Sequence, residues 1–244
     1  MDRRTFGIIS ASIVILALTF ASIFNWFQGL GGTGAHAEVY DELFTLYWGL
    51  GTVIGMGVYI YFLWLLTTEP DGSGDDMRIG QRPEERGDNR VAWGITIVIA
   101  LFLLVLSDVT FDSIDFFEKH EEHTTDDSFT VEITGYQYYW DYQYPNGISY
   151  TSASGEPLRV PVDVPVVFEV TSGDVFHSYA LPEHRIKVDA IPGRVNTGWI
   201  QAEETGTYPV RCFELCGDEH TIMIGVLEVM EKDDFDMWYS GGVA

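Results

Sequence analysis

The chain has 244 residues, of which 37 are acidic and 13 are basic, and its formal net charge is -24 at pH 7. This balance excludes nucleic acid as a partner, because phosphate recognition needs a basic surface. From residue 112 onward, 25 acidic side chains stand against 7 basic ones. Such a surface repels itself at low salt and is tolerated where salt screens it. Its breadth favours a very salty medium, and hence a halophilic source, over a docking face for one cationic partner.

Three uncharged apolar stretches lie in the first half of the chain, at residues 5–30, 43–68 and 91–107. A membrane-spanning helix needs about 20 mostly apolar residues. The first two stretches are long enough, whereas the third must recruit residues beyond Asp108. We therefore predict a transmembrane hairpin over residues 38–117, with helices at about 43–68 and 91–111.

Arginines near these stretches indicate the orientation of the chain in the membrane. Loops rich in Lys and Arg stay in the cytoplasm, and the loop between the first two stretches has neither residue. The N-terminus and the 69–90 loop are therefore predicted to be cytoplasmic, and the C-terminal part to lie on the outer face of the plasma membrane. The arginines that carry this prediction are Arg3, Arg4, Arg78, Arg82, Arg86 and Arg90.

Residues 1–37 form an apolar N-terminal segment that allows two interpretations. Arg3 and Arg4 before the apolar run are similar to a twin-arginine signal, and Ala-His-Ala at 35–37 offers a cleavage site of small residues. The run is nevertheless long for a signal peptide, so the segment could remain as an additional transmembrane helix. With or without cleavage, the C-terminal part is predicted to lie outside the membrane.

Beyond an acidic linker at 118–128, in which His120 and His123 are predicted to be solvated, the pattern changes to β-strands. Apolar and polar residues alternate in short runs that are separated by Gly, Pro, Asn and Asp. Short alternating strands at regular spacing predict an antiparallel sandwich or barrel. This domain covers residues 129–231, and an acidic tail follows at 232–244. The predicted strands are 129–135, 158–162, 166–170, 195–200, 206–211 and 225–230.

The run from Cys212 to Met223 holds the only two cysteines of the chain, together with His220. A second candidate imidazole, His177, lies upstream on a predicted loop. Thiolate, thioether and imidazole ligands together suit copper better than a hard cation. One blue copper ion needs one Cys, two His and a weak axial group. The set present here, with Glu214 between the thiols, is enough for two copper ions that share both thiolates.

Two simpler interpretations of this run remain. Cysteines four residues apart outside the cytosol could form a disulfide, but a disulfide leaves His220 and Met223 unexplained. Cysteine and histidine also bind zinc, although Met is not a usual zinc ligand.

With these motifs, the chain resembles subunit II of the haem-copper terminal oxidases, the cytochrome c oxidase type with a binuclear copper centre called CuA. The resemblance covers about residues 40–231. It implies a membrane-anchored, all-β, cupredoxin-like sandwich preceded by two or three transmembrane helices. The motifs are the aromatic run Gly-Tyr-Gln-Tyr-Tyr-Trp-Asp-Tyr at 135–142, Asp-Val-Phe-His-Ser at 174–178, Ile-Pro-Gly-Arg at 191–194, and the copper run itself.

The resemblance also implies a role for each candidate ligand. Cys212 and Cys216 would bridge both coppers, and His177 and His220 would each bind one. Met223 would be a weak ligand to one copper, and the backbone carbonyl of Glu214 to the other. The Glu214 side chain could also reach a magnesium ion at the contact with the catalytic subunit.

The chain departs from the family at two places. The family usually has Trp where Tyr138 stands, and that ring is thought to receive the incoming electron. We therefore expect Tyr138 or Trp140 to take this role, with either cytochrome c or a small blue copper protein as the external donor. Many members also place a proton-conducting Glu at the start of the last apolar stretch. This chain has Arg90-Val91-Ala92-Trp93 there, with Glu84 and Glu85 nearby.

The function that the resemblance implies is electron transfer within a proton-translocating oxidoreductase. The subunit would accept electrons from the external carrier and pass them to haem in subunit I, where oxygen is reduced to water; subunit III is a further expected partner. The chain alone would not be catalytic. Two alternatives remain: the equivalent subunit of a nitric oxide reductase, and a membrane-tethered copper carrier that works alone.

Overall fold

The computed structural model describes residues 31–67 and 89–241, together with 9, 11–17 and 20, which are helical. The chain divides into two units, one formed by residues 1–29 and 43–111 and the other by residues 30–42 and 112–244. Most of the predicted N-terminal segment and of the 69–90 loop, including Glu84 and Glu85, lies outside the described residues.

Two long helices follow from the predicted apolar stretches: α1 (Ala35–Thr67) and α2 (Asn89–Glu118). Within them, Ala35–Ile60 and Ala92–Glu118 are long and apolar enough to cross a membrane. Both helices are longer than predicted, because helical structure continues into the polar flanks of each stretch. In the helical unit, the Tyr47 hydroxyl hydrogen-bonds the Leu106 carbonyl at 3.2 Å and also contacts the Thr110 hydroxyl.

The C-terminal unit is a sandwich of two five-stranded sheets, followed by the short helix α3 (Lys232–Tyr239). One sheet has the order β3-β2-β1-β5-β8 and the other β4-β10-β9-β6-β7. The strands are β1 (Phe129–Tyr136), β2 (Tyr139–Gln143), β3 (Ser149–Thr151), β4 (Leu158–Pro161), β5 (Val166–Ser172), β6 (His177–Leu181), β7 (Ile186–Ala190), β8 (Asn196–Ile200), β9 (Gly206–Cys212) and β10 (Ile224–Met230).

The predicted β-sandwich is confirmed, but its pairing is not purely antiparallel. In the described sheets, β1 runs parallel to β5 and β4 runs parallel to β10, whereas the other strand pairs are antiparallel. The parallel pairs join strands that are distant in sequence. Such pairs need crossover connections, which alternation within single strands does not reveal.

The core lies between the two sheets and explains the alternation in the sequence. In β1, Val131 and Ile133 are fully buried while Glu132 between them is exposed. Strand side chains point alternately to opposite faces, so each strand contributes every second residue to the core. Buried aromatic rings fill the centre of this core, and the largest are Trp140, Tyr142, Tyr144, Phe168 and Tyr179.

Two segments outside the sheets differ from the sequence prediction. His123, which was predicted to be solvated, is half-buried, and its ring stacks on Trp199 with centroids 4.6 Å apart. The 232–244 segment, predicted as a tail, contains α3, whose Phe235 is buried and stacks on Phe129 at 5.3 Å. Both contacts join residues far apart in sequence, so local composition gave no sign of them.

Candidate metal centre

The predicted metal ligands come together at one end of the sheet that contains β6 and β9. Cys212 is the last residue of β9, and His220 starts a single turn of 3-10 helix just before β10. The sequence predicted a loop position for His177, but His177 is the first residue of β6. The site is therefore anchored directly by two strands, one of which was missed because all five of its residues are buried and show no alternation.

Backbone hydrogen bonds hold the loop at 213–223 close to the sheet. The Cys212 N–H donates to the Met223 carbonyl at 3.2 Å, which closes the base of the loop. The Phe213 N–H donates to the Ser178 carbonyl at 3.0 Å, which fixes the loop to β6. The loop ends therefore cannot separate without breaking contacts of the sheet.

The ligand atoms of the six predicted metal residues lie close to one another around the two thiols. The two Sγ atoms, of Cys212 and Cys216, are 3.9 Å apart. Around the first lie Nδ1 of His177 at 3.8 Å and the Glu214 carbonyl oxygen at 3.3 Å. Around the second lie Nδ1 of His220 at 3.6 Å and Sδ of Met223 at 3.8 Å.

These spacings suit a soft metal ion. Two atoms bound to one tetrahedral ion at about 2.0–2.3 Å lie about 3.3–3.8 Å apart. His177, Cys212 and Cys216 form a buried group whose ligand atoms all lie within 4.8 Å of one another. The Met223 thioether and the two thiols favour copper over a hard cation.

Both thiols are free, and their sulfur atoms are far beyond the disulfide bond length of about 2.0 Å. Burial, together with the neighbouring Cys212 thiol, raises the pKa of the Cys216 thiol to about 12. Without metal, this thiol is therefore protonated at neutral pH. A metal ion must displace the proton to bind the thiolate.

Asp174 orients His177 from the side opposite the thiols. One oxygen of its carboxylate lies 2.8 Å from Nε2 of the fully buried His177 ring, while Nδ1 faces Cys212. Burial alone would raise the pKa of Asp174, but hydrogen bonds from His177 and from the backbone N–H groups of Gln137 and Val175 hold it below its usual value. A carboxylate in this position fixes both the tautomer and the plane of the ring.

Gln137 also contacts the loop, and sequence reasoning did not single it out. Its side-chain amide donates to the carbonyl oxygen of Cys216. The amide and the Tyr138 hydroxyl pack so closely on Gly217 that a Cβ there would lie 2.5 Å from that hydroxyl. Gly217 also has a φ of +142°. A glycine is therefore required at this position.

The remaining predicted residues occupy different positions around the cluster. Trp140 is fully buried behind His177, with ring centroids 5.9 Å apart, so it faces the core rather than solvent. Tyr138 is half-buried at the surface beside the loop. Glu214 turns its backbone carbonyl to the Cys212 thiol, and its side chain is half-buried.

The loop presents an apolar surface to solvent. Phe213, Leu215 and Ile222 are 49%, 77% and 63% exposed. Exposed large apolar residues next to a buried polar cluster are typical of a surface that meets a partner protein.

Residues 151–230 match a family model described as "Cytochrome C oxidase subunit II, periplasmic domain". A "Heme-copper oxidase subunit 2" of Aeropyrum pernix is 32% identical over 216 residues, which are 84% of this chain and 90% of that protein. A "Probable cytochrome c oxidase subunit 2" of Rickettsia bellii is 34% identical over 161 residues, or 59% of this chain.

This chain spans 58% of the Rickettsia bellii protein and 50% of its Rickettsia felis counterpart. Among solved structures, the periplasmic domain of subunit II of cytochrome oxidase from Bradyrhizobium japonicum is 35% identical to this chain. That likeness covers 47% of this chain and 92% of the other, with a TM-score of 0.44.

Proposed function

The chain belongs to the cytochrome c oxidase subunit II family, and from this premise we propose that it is the electron-accepting subunit of a membrane haem-copper terminal oxidase. The observation that carries the proposal is the cluster of two free thiols, two imidazoles and a thioether at 3.6–3.9 Å spacing. In this proposal an external carrier supplies electrons, and haem in the catalytic subunit I receives them for the reduction of oxygen.

We assign the ligand set to two copper ions. Cys212 and Cys216 would hold both ions, His177 and His220 would hold one each, and the Met223 thioether and the Glu214 carbonyl would be the weak ligands. When bound, the copper pair takes up and releases one electron at a time. The residues around it keep water out and hold the ligand atoms in place, because the strands and the Asp174 and Gln137 hydrogen bonds restrain the loop. Restrained ligands and buried sulfurs favour rapid electron exchange with little rearrangement.

Partners are assigned from the surface around the cluster. The exposed side chains of Phe213, Leu215 and Ile222 fit a contact with the catalytic subunit or with the electron donor. Tyr138 is the better placed of the two candidate rings to receive the incoming electron, because it reaches the surface while Trp140 does not. In this proposal the electron donor is cytochrome c or a small blue copper protein, and subunit III is a further partner. The Glu214 carboxylate would bind a magnesium ion at the contact with the catalytic subunit.

The membrane topology in this proposal has α1 and α2 crossing the plasma membrane, with the metal domain on the outer face. Their apolar spans of 26 and 27 residues support the crossing. The arginines of the 69–90 loop support a cytoplasmic location for that loop. The acidic excess of the domain supports a halophilic source, because concentrated salt would screen its self-repulsion.

The proposal is tested on the full chain purified with its haem-bearing partner. We expect two coppers per chain and an electron paramagnetic resonance spectrum in which one unpaired electron is shared by both ions. A reduced donor added in rapid mixing should reduce copper before haem. The matched variant Cys216→Ser should assemble with the haem subunit yet lose the shared spectrum and the fast reduction of haem.

Three results would contradict the proposal: a single-copper spectrum, zinc in the site, or fast haem reduction in Cys216→Ser. A chain that never co-purifies with haem would favour the copper carrier that works alone. Consumption of nitric oxide instead of oxygen by the complex would favour the reductase.

A further inference from the structure

An unbroken series of aromatic rings crosses the sandwich core from α3 to the metal cluster. Each ring centroid lies no more than 6.5 Å from the next. The spacings are 6.5 Å for Trp238–Tyr150, 5.8 Å for Tyr150–Tyr142, 6.4 Å for Tyr142–Tyr179, 5.0 Å for Tyr179–Trp140 and 5.9 Å for Trp140–His177. We refer to these six residues as the ring series.

Every member between the surface and His177 is a phenol or an indole. These are the aromatic side chains that can lose an electron most readily, whereas the benzene ring of phenylalanine resists oxidation. Phenylalanine is present in the same core, since Phe168 packs on Tyr179 with centroids 5.9 Å apart. The core therefore accepts Phe, but none occurs in the series itself.

Three inner members of the ring series carry buried polar atoms, and the hydroxyls of Tyr142 and Tyr179 lie close enough to influence each other's pKa. The hydroxyls of Tyr142 and Tyr179 and the indole Nε1 of Trp140 are buried and make no hydrogen bond of ordinary geometry in the described part of the chain. A buried polar group without a partner destabilises a fold, and an apolar group of the same shape would not. Packing alone would thus favour Phe at Tyr142 and Tyr179.

The two ends of the series differ in exposure. Trp238 is half-buried on α3 and so reaches the surface, as does Tyr150, while Tyr142, Tyr179, Trp140 and His177 are completely buried. His177 Nδ1 faces the Cys212 thiol. The series therefore joins two rings that reach the surface, Trp238 and Tyr150, to the proposed copper ligands.

We propose that the ring series carries oxidising equivalents from the surface to the copper pair, so that reduced copper repairs an oxidised side chain before it is damaged permanently. This inference rests on the proposed function, which supplies the reduced copper. The oxidant is a one-electron oxidant of the carbonate-radical or hydroxyl-radical class, as can form near oxygen-reducing sites.

The electrons and protons of the step balance. The oxidant takes one electron from the Trp238 indole, whose N–H proton passes to solvent. Electrons then move outward ring by ring, and each inner phenol or indole keeps its own proton while it is refilled by the next ring inward, until the last electron leaves the reduced copper pair. Trp238 recovers its proton from solvent. The net change is one electron from copper to the oxidant, and no bond of the protein is formed or broken.

The test uses the holo-complex with copper reduced and then freed of excess reductant. A light flash generates carbonate radical, and the readouts are the rate of copper oxidation and, by peptide mass spectrometry, oxidised Trp238. The interrupting variants are Tyr179→Phe and Tyr142→Phe, which remove buried hydroxyls that make no hydrogen bond of ordinary geometry and should fold normally. The control is Tyr208→Phe, which removes a phenol outside the series.

We expect the unmodified protein and Tyr208→Phe to show a fast phase of copper oxidation and little oxidised Trp238. Both interrupting variants should lose the fast phase and accumulate oxidised Trp238. Equal rates and equal yields in all four proteins would overturn the inference. If the variants still accept electrons from the donor and reduce haem, the proposed function stands whatever happens to this inference. If the unmodified complex lacks a copper spectrum with one shared electron, the proposed function itself is refuted.

Discussion

The carboxylate of Asp174 lies 2.8 Å from Nε2 of His177 and also accepts the backbone N–H of Gln137 at 2.8 Å. One side chain thus connects a proposed copper ligand on β6 to the turn between β1 and β2 in the other sheet. Because this contact fixes the ring that faces Cys212, we expect it to influence the metal more than the fold.

Replacement of Asp174 by Ala should therefore weaken copper binding by about 10–100-fold, the usual effect of losing a carboxylate behind a ligating histidine. Asp174→Asn should lose less copper affinity, because its amide oxygen can still accept a hydrogen bond from the His177 ring. Affinity is measured by competition with a copper chelator. The exposed carboxylate of Glu169, on β5, provides the control Glu169→Gln. Equal affinity in Asp174→Ala and the control would contradict this role.

A second prediction concerns the space behind His177. A Cβ at Gly135 would lie 3.0 Å from the Trp140 ring and 3.1 Å from the His177 ring, and both rings are fully buried. Gly135→Ala should lower the free energy of unfolding by about 1–3 kcal/mol through overpacking. It should also shift the copper absorption bands, because His177 must move.

The matched control for this change is Gly31→Ala, where a Cβ would meet nothing within 4 Å. Denaturant unfolding of the copper-free chain gives the stability, and absorption of the loaded chain gives the second readout. If Gly135→Ala is destabilised but its copper absorption bands are unchanged, the added methyl group is accommodated without movement of His177, and the prediction is contradicted.

The metal residues could be predicted from sequence because their chemistry is distinctive. Two cysteines, two histidines and a methionine in short runs indicate a soft-metal site wherever the chain places them. The strands that could be predicted are those with one face in the core, such as β1 and β9. β6 was missed because burial on both faces removes the alternation.

The supporting contacts of the site could not be predicted. Asp174 and Gln137 are 37 residues apart, and Gln137 and Cys216 are 79 apart. Their roles depend on the close approach of the β1–β2 turn to the metal loop, which only the packing of the two sheets produces. The ring series is hidden for the same reason, because its members come from three strands and a helix.

A further prediction follows from the acidic surface. Raising salt from about 0.1 M to about 1 M shortens the screening length from about 10 Å to about 3 Å. The repulsion among exposed carboxylates should then weaken, so the melting temperature should rise with sodium chloride. The double variant Glu203→Gln/Glu204→Gln removes two adjacent exposed charges and should show a smaller rise.

Scanning calorimetry of the full chain in detergent measures this effect, and sucrose, which is uncharged, provides the solvent control. A melting temperature that rises equally in sucrose and in salt would indicate a general solvent effect rather than screening. No change with salt in either protein would remove the support for a halophilic source.

The last prediction concerns the buried His184, whose ring packs against Tyr208 with centroids 4.7 Å apart. Burial lowers the pKa of His184 from 6.5 to about 4, although the nearby Thr33 backbone acts in the opposite direction. Above about pH 6.5 the ring is neutral in both the folded and the unfolded chain, so it makes no pH-dependent contribution. As the pH falls from 6.5 towards 4, only the unfolded chain takes up the proton, and the folded state loses stability.

The loss at low pH should approach about 3 kcal/mol, since each pKa unit corresponds to about 1.4 kcal/mol. His184→Gln cannot take up the proton, so its stability should fall less steeply between about pH 7 and about pH 4.5. His120→Gln, in the 3-10 turn of the linker where no residue is buried, is the control and should follow the unmodified chain. Urea unfolding of the copper-free protein at several pH values measures the slopes. If the unfolding free energies of His184→Gln and His120→Gln change in parallel with pH, His184 takes up its proton without disturbing the fold. That result would contradict the prediction, which rests on the burial of His184.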